Sequence, residues 1–413
     1  MNIFNNFSLE IPDVKKCMGL RITDWGDVHR LDLNQLGAVI PTQLRALATE
    51  GGWADELKKK WGELQVDGIL EAMENSAEAL GGNFPSFAEW TVVYNELYSP
   101  LMRTKRKEKF GDGYRAAIST LKWLSQESGL SARIQANAYI PKSRNSNFRQ
   151  VMWRPACMAD YEMFVVAPAV STYFGGISLL HVAGMLGMDS QGLLIHTEHP
   201  EKQIHYILEN IISVFEEAGG TRKDVVRLRP FAQTPEIAAI IRRKVKELWK
   251  GSIEPTVFMS DGMRFGGPAD KQYAEIQAFG ILKGDADILH QKLDITMNGS
   301  DEDTFAARST ITRDFEYIQA SEIRAGQSFG PETESNRVVN RIEEFISKAG
   351  LCMEDICNII VYAGTLEAAR EMEEAIGKSL IPRNMVHLVP CPQMYEMGEY
   401  QIKAEVSARR LLK

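Results

Sequence analysis

The feature that most constrains this chain is a phrase written twice. Glu216 to Thr234 reads EEAGGTRKDVVRLRPFAQT, and Ser347 to Thr365 reads SKAGLCMEDICNIIVYAGT. Five of the nineteen positions are identical, against roughly one expected by chance from average composition. Val225 faces Ile356 and Phe231 faces Tyr362 in that register. In both copies a helical apolar stripe ends at Ala-Gly, an Asp opens an apolar strand, and a Thr opens the next helix.

The flanking sequence extends the repeat. HPEKQIHYILENIISVFEEAG and ESNRVVNRIEEFISKAG carry apolar residues at helical spacing, and TPEIAAIIRRKVKELW and TLEAAREMEEAIGKSL follow as second helices. SLLHVAGML and DFEYIQASEI read as opening strands, and YAEIQAFGIL and YQIKAEVSARRL as closing ones. The order β-β-α-β-α-β-β therefore spans residues 150–285 and returns over 311–413, which marks a duplicated domain. Residues 1–135 read as mostly helical: ADELKKKWGELQVDGILEAMENSAEAL, PSFAEWTVVYNELYSPLM and YRAAISTLKWLSQESGL are three helix candidates, and RTKRKEK between them reads as a solvated loop or helix end. PKSRNSNFRQ suits a connection between domains.

Composition excludes several classes. With 47 Lys and Arg against 55 Asp and Glu, the net charge of −8 argues against nucleic acid or an anionic membrane as partner. Met163 to Met188 holds one titratable residue, His181, and is long enough to cross a bilayer, but Pro168 and its glycines and serines fit two buried strands around a turn better. The N-terminus shows no signal-peptide pattern. Five scattered cysteines make no disulfide framework, so the reading is of reduced thiols in a cytoplasmic protein. His181, His196, His199 and His205 lack the spacing of a zinc hydrolase, and no phosphate-binding or dinucleotide-binding motif occurs; neither metal nor cofactor is expected.

A helix ending in Ala-Gly, an Asp-opened strand, a Thr-opened helix, a proline and a Y-x-I-x-A strand resemble the RidA (YjgF/YER057c/UK114) superfamily over 150–285 and 311–413. The resemblance implies an α+β fold of two RidA-like (chorismate-mutase-like) domains, each a mixed sheet backed by two helices, after the mostly helical region. It implies trimers with clefts between neighbours, so that a tandem chain would form a homotrimer or an intrachain pseudo-trimer. It also implies a hydrolase or deaminase that releases ammonia from a small carboxylate-bearing imine or enamine.

The residues implied are split between the copies. An arginine able to clamp a substrate carboxylate matches Arg383 in IPRNMVHLVPCP, with Pro392 downstream; in the other copy Val257 takes its place, with Arg264 nearby. A water-directing glutamate matches Glu275, whose counterpart is Gln401. A ligand-approaching Ser-Gly appears as Ala183-Gly184 in one copy and Gln319-Ala320 in the other. His387, on the same strand face as Arg383, is an acid-base candidate, with a plain strand histidine as the alternative. Two further readings compete: chorismatase-like hydrolysis of an enolpyruvyl ether, and a non-catalytic ligand-binding or assembly protein whose clefts have decayed.

Overall fold

A computed structural model describes residues 19–39, 55–94, 101–111, 113, 116–122, 130–143, 147–158, 166–260, 271–293, 295, 306–326, 332–390 and 401–412. They form three mixed sheets and six helices. The first sheet joins β1 (Gly19–Asp24), β2 (Val28–Val39), β3 (Phe87–Tyr94), β4 (Ala117–Lys122) and β5 (Leu130–Pro141) in the order β1-β2-β5-β3-β4, with α1 (Asp55–Glu78) and α2 (Leu101–Phe110) between its strands in sequence. The second joins β6 (Arg149–Trp153), β7 (Ala169–Phe174), β8 (Ile177–Leu186), β9 (Val225–Ala232), β10 (Thr256–Val257) and β11 (Ala274–Lys283) in the order β10-β9-β11-β8-β7-β6. Its helices are α3 (Pro200–Glu217) and α4 (Pro235–Leu248). The third joins β12 (Leu289–Leu293), β13 (Ala306–Ile311), β14 (Phe315–Arg324), β15 (Ile356–Ala363), β16 (Val386–Pro390) and β17 (Ile402–Leu411) in the order β12-β13-β14-β17-β15-β16, with α5 (Glu334–Lys348) and α6 (Leu366–Lys378).

The second and third sheets share one strand order, as the repeat requires. The first has it too, without the outermost strand. In each, a three-residue 3₁₀ turn opens the strand at Phe87, Val225 or Ile356, and that strand pairs in parallel with the one after the second helix. Thr234 and Thr365 cap α4 and α6 by accepting from Ile237 N and Ala368 N, as their places before each helix predict. Between β7 and β8, Gly175 and Gly176 both take positive φ, 55° and 76°, making the turn expected in the long apolar stretch. No described helix is long and apolar enough to cross a membrane.

The expectation of a mostly helical first section is overturned. Only α1 of its three helix candidates is a described helix; PSFAEWTVVY supplies β3 and AISTLK supplies β4. Seven of the eight residues of β3 are buried, so neither face shows the polar alternation of a half-exposed strand. Thr91, Val92 and Val93, branched at Cβ, suit the pleat better than a helix. RTKRKEK, in turn, lies within α2, where Lys105 reaches Asp67 of α1 at 3.3 Å and Lys109 reaches Glu74.

The three sheets meet through a polar interior. On β9 Arg227, Arg229 and Phe231 share one face, and the matching positions are Glu89, Thr91 and Val93 on β3 and Asn358, Ile360 and Tyr362 on β15. Arg227 donates to Glu89 at 2.6 Å and Arg229 to Glu405 of β17 at 2.5 Å. Asn358 donates to Asp32 of β2 at 3.2 Å, and Arg30 grips the same carboxylate. All three pairs of sheets are thus joined. One end of this layer is closed by Trp25, Tyr139, Phe174, Phe315 and Tyr317, the other by an apolar cluster that includes Val93, Phe231 and Tyr362.

Removing one partner of a fully buried pair strands the other charge, at a cost of about 3–5 kcal/mol. Glu405→Gln is expected to lower the urea midpoint by an amount in that range. Replacing both partners, Glu405→Leu with Arg229→Met, should recover most of the loss.

Candidate functional site

The strand registers show which residues are equivalent. Glu275 lies opposite Phe231, and Lys403 lies opposite Tyr362, so the counterpart of Glu275 is Lys403 and not Gln401. On β5 the same position, opposite Val93, is Arg133. Ala278 pairs Val182 and Val406 pairs Ala320, which sets Gly184 against Glu322 instead of Ala320. Val257 pairs Leu228 as Val386 pairs Ile359, so Val257 matches Val386, and the residue in the place of Arg383 is Glu254. Ser119 of β4, Phe258 and His387 of β16 are equivalent in turn. Arg264 and Pro392 lie outside the described residues.

Glu275 and Gly184 come together at the junction of the first and second sheets. The register between β8 and β11 shifts there, a bulge that brings the Gly184 backbone under the glutamate. A Cβ on Gly184 would lie 1.7 Å from Glu275 Oε1, so only glycine leaves room for the carboxyl. Ser119 supplies the far wall from β4. Its hydroxyl is fully buried and faces the Glu275 carboxyl. Glu275 is 7% exposed. Burial pushes its carboxyl up to about 8, and the Ser119 hydroxyl offsets little of that. The slot therefore holds a carboxyl group that burial raises to about 8, facing the Ser119 hydroxyl.

The other sequence candidates lie elsewhere. Arg383 sits in the 3₁₀ turn before β16, exposed, with Nη2 over Gly377 of α6. That turn docks on β1 and β2: Asn34 Nδ2 donates to Asn384 O at 3.2 Å, and Asn384 Nδ2 to Leu20 O at 3.0 Å. Ser119, by contrast, belongs to β4, the opposite edge of the same sheet. Four strand spacings separate those edges, roughly 19 Å, so Arg383 and Glu275 do not share a cavity. Gln401 is exposed and tied down structurally: Glu334 accepts from its backbone N–H at 2.6 Å and Thr365 Oγ1 contacts its side chain at 3.4 Å. His387 is buried on β16 at the junction of the third sheet with the first. Among the described residues no group of histidine, cysteine, aspartate and glutamate could hold a metal ion.

Sequence reading missed Ser119 and Glu322. Ser119 falls in a segment taken as helix. Glu322 was hidden by an alignment that slipped by two residues at the bulge.

No family model matches the sequence, and no curated protein matches it. Among solved structures, a chorismatase aligns over 78% of this chain and 93% of its own, at 10% identity and a TM-score of 0.46. A member of the YjgF/YER057c/UK114 family from Mycobacterium tuberculosis aligns over 32% of this chain and 98% of its own, at 22% identity and a TM-score of 0.26. A Rid-family protein, YyfA from Yersinia pestis, gives 32%, 98%, 21% and 0.26 for the same measures.

Two outcomes follow from the slot. Below pH 4.5 Glu275 is protonated whether the chain is folded or not. Between pH 4.5 and about 8 the unfolded chain ionises first, so stability is lost as pH rises and levels off above 8. Glu275→Gln, which does not titrate, should therefore gain on the wild type across that window by on the order of a few kcal/mol, read as the difference in unfolding midpoint at pH 5 and pH 9. Gly184→Ala should displace the carboxyl and flatten that pH difference.

Proposed function

We propose that this chain is a RidA-like hydrolase whose working site is the Glu275 junction, acting on a small carboxylate-bearing imine or enamine. The observation that carries this reading is a buried carboxyl group fixed over Gly184 and across from Ser119, whose burial raises it to about 8. General-acid chemistry at neutral pH needs a group that is still protonated there, with a pKa near the working pH. Glu275 would give its proton to the imine nitrogen, making the carbon electrophilic. Water would add to that carbon and return a proton to the Glu275 carboxylate. The carbinolamine nitrogen, protonated in turn, would leave as ammonia and a carbonyl product would remain.

The substrate carboxylate needs a cation. Arg115, outside the described residues, precedes Ser119 by four in the sequence, as Arg383 precedes His387 by four. We propose Arg115 for that cation on its sequence position alone. The same acid also suits protonation of an enolpyruvyl ether at carbon, so chorismate hydrolysis with release of pyruvate is the second reading.

Ammonia release from a 2-imino acid generated in situ, and pyruvate release from chorismate, separate the two. For the correct substrate, kcat/KM is expected to fall as pH rises through about 8. Glu275→Gln should lower kcat by about 10²–10⁴-fold with a small change in KM. A rate that rises through pH 8 would make Glu275 a base, and unchanged turnover in Glu275→Gln would remove it from the reaction.

We further propose that one chain supplies the whole three-part assembly as an intrachain pseudo-trimer, working in the cytoplasm. Sedimentation should then give the mass of a single chain, 46.4 kDa, and a mass three times larger would contradict this.

A further inference from the structure

The junction of the second and third sheets repeats the strand registers and the bulge of the Glu275 slot with different chemistry. Glu322 stands in the bulge of β14 at the place Gly184 holds in β8. Its φ is 63°, a left-handed conformation that costs a glutamate and suits a glycine. The carboxylate crosses to the second sheet and accepts from the backbone N–H of Met259 at 2.7 Å. Arg324 lies at 2.5 Å, Arg242 of α4 at 3.3 Å and Lys403 at 3.8 Å. Lys403, 3% exposed, holds the position of Glu275 itself. Burial alone would raise the Glu322 carboxyl; Lys403, Arg242, Arg324 and the Met259 N–H outweigh it and hold the group at about 2.

We propose that this junction is a carboxylate-binding pocket that the chain fills with its own Glu322, and that removing that side chain makes it a site for a small free carboxylate such as pyruvate. Three cations around one carboxylate exceed what an ion pair between two surfaces needs. The Met259 N–H, donating to the oxygen that Lys403 faces, adds the directional donor that a carboxylate-binding site provides. Arg242 and Arg324 are 41% and 34% exposed at the mouth, so the cationic side opens to solvent. An ordinary salt bridge would not require its carboxylate to come from a strained left-handed residue. At this position the side chain enters the cleft as a ligand would, and the strain is offset by the four contacts.

The test is binding and not turnover, so it stands whether or not Glu275 is catalytic. Full-length Glu322→Gly places at the bulge the residue found at Gly184 and relieves the left-handed strain. Pyruvate, followed by calorimetry, is expected to bind this variant about tenfold or more tighter than the wild type. Chloride at equal ionic strength should not compete, and adding Lys403→Met should abolish the gain. Pyruvate bound no better by Glu322→Gly than by the wild type would overturn the proposal. If the variant does not fold unaided, refolding with pyruvate is the readout: recovery with pyruvate but not with chloride supports a filled pocket, and no recovery overturns it.

Discussion

The structure depends on a layer of charge sealed between three sheets. Arg227 reaches Glu89, Arg229 reaches Glu405, and Asn358 reaches Asp32, so each sheet is joined to both of the others. Burying ions is costly, and apolar residues of the same volume would often serve stability as well. What the charges add is a difference between sheets built to one plan. Glu89, Arg227 and Asn358 occupy one position in the three copies as an acid, a base and an amide. Three identical surfaces could meet in any combination, whereas these satisfy one another in one arrangement. Burial alone would raise the Glu89 carboxyl; Arg227 and His181 outweigh it and hold it well below its usual range, so the charge persists inside the protein.

That asymmetry explains why part of the fold was legible and part was not. The two later copies share a helix-strand-helix joint whose residues are set by local physics: caps at Thr234 and Thr365 and apolar stripes on α3 and α5. Local rules leave local signatures, and those could be read. The first copy keeps the topology but not the phrase, and its strand β3, buried on both faces, has no alternation to reveal it. Register was lost for a related reason. The offset between copies is 131 at Val225 and Ile356, 129 at Val257 and Val386, and 128 at Glu275 and Lys403, because the intervening loops differ in length. Hydrophobic matching carries no information about such slips, so Val257 and Gln401 were set against the wrong partners. Glu275 and Gly184 were found because they match positions of the motif that the sequence resembles. Ser119 was not, since a serine in an apolar run carries no such mark.

The registers also show how one backbone frame came to hold three different junctions. The position of Glu275 is an arginine on β5 and a lysine on β17, and that of Ser119 is Phe258 in the second sheet and His387 in the third. A symmetric trimer must use one set of side chains three times. A single chain is free of that requirement, and each cleft can be altered without damage to the others. Its interior already uses the same freedom to specify which sheets meet.

Glu275 and Glu322 show what that freedom does to a carboxyl group. Glu275 stands across from the bulge of β8 and Glu322 within the bulge of β14, and both cross toward the neighbouring sheet. Around Glu275, among the described residues, burial is answered by one hydroxyl alone, and the carboxyl is pushed up to about 8. Around Glu322 there are three cations and a backbone N–H; the loss of water is outweighed and the carboxyl is held at about 2. A carboxyl that keeps its proton at pH 7 can deliver it to a substrate. One that is permanently ionised and fully paired can only occupy space and hold two sheets together. The difference comes from the neighbours, because the two glutamates have the same side chain.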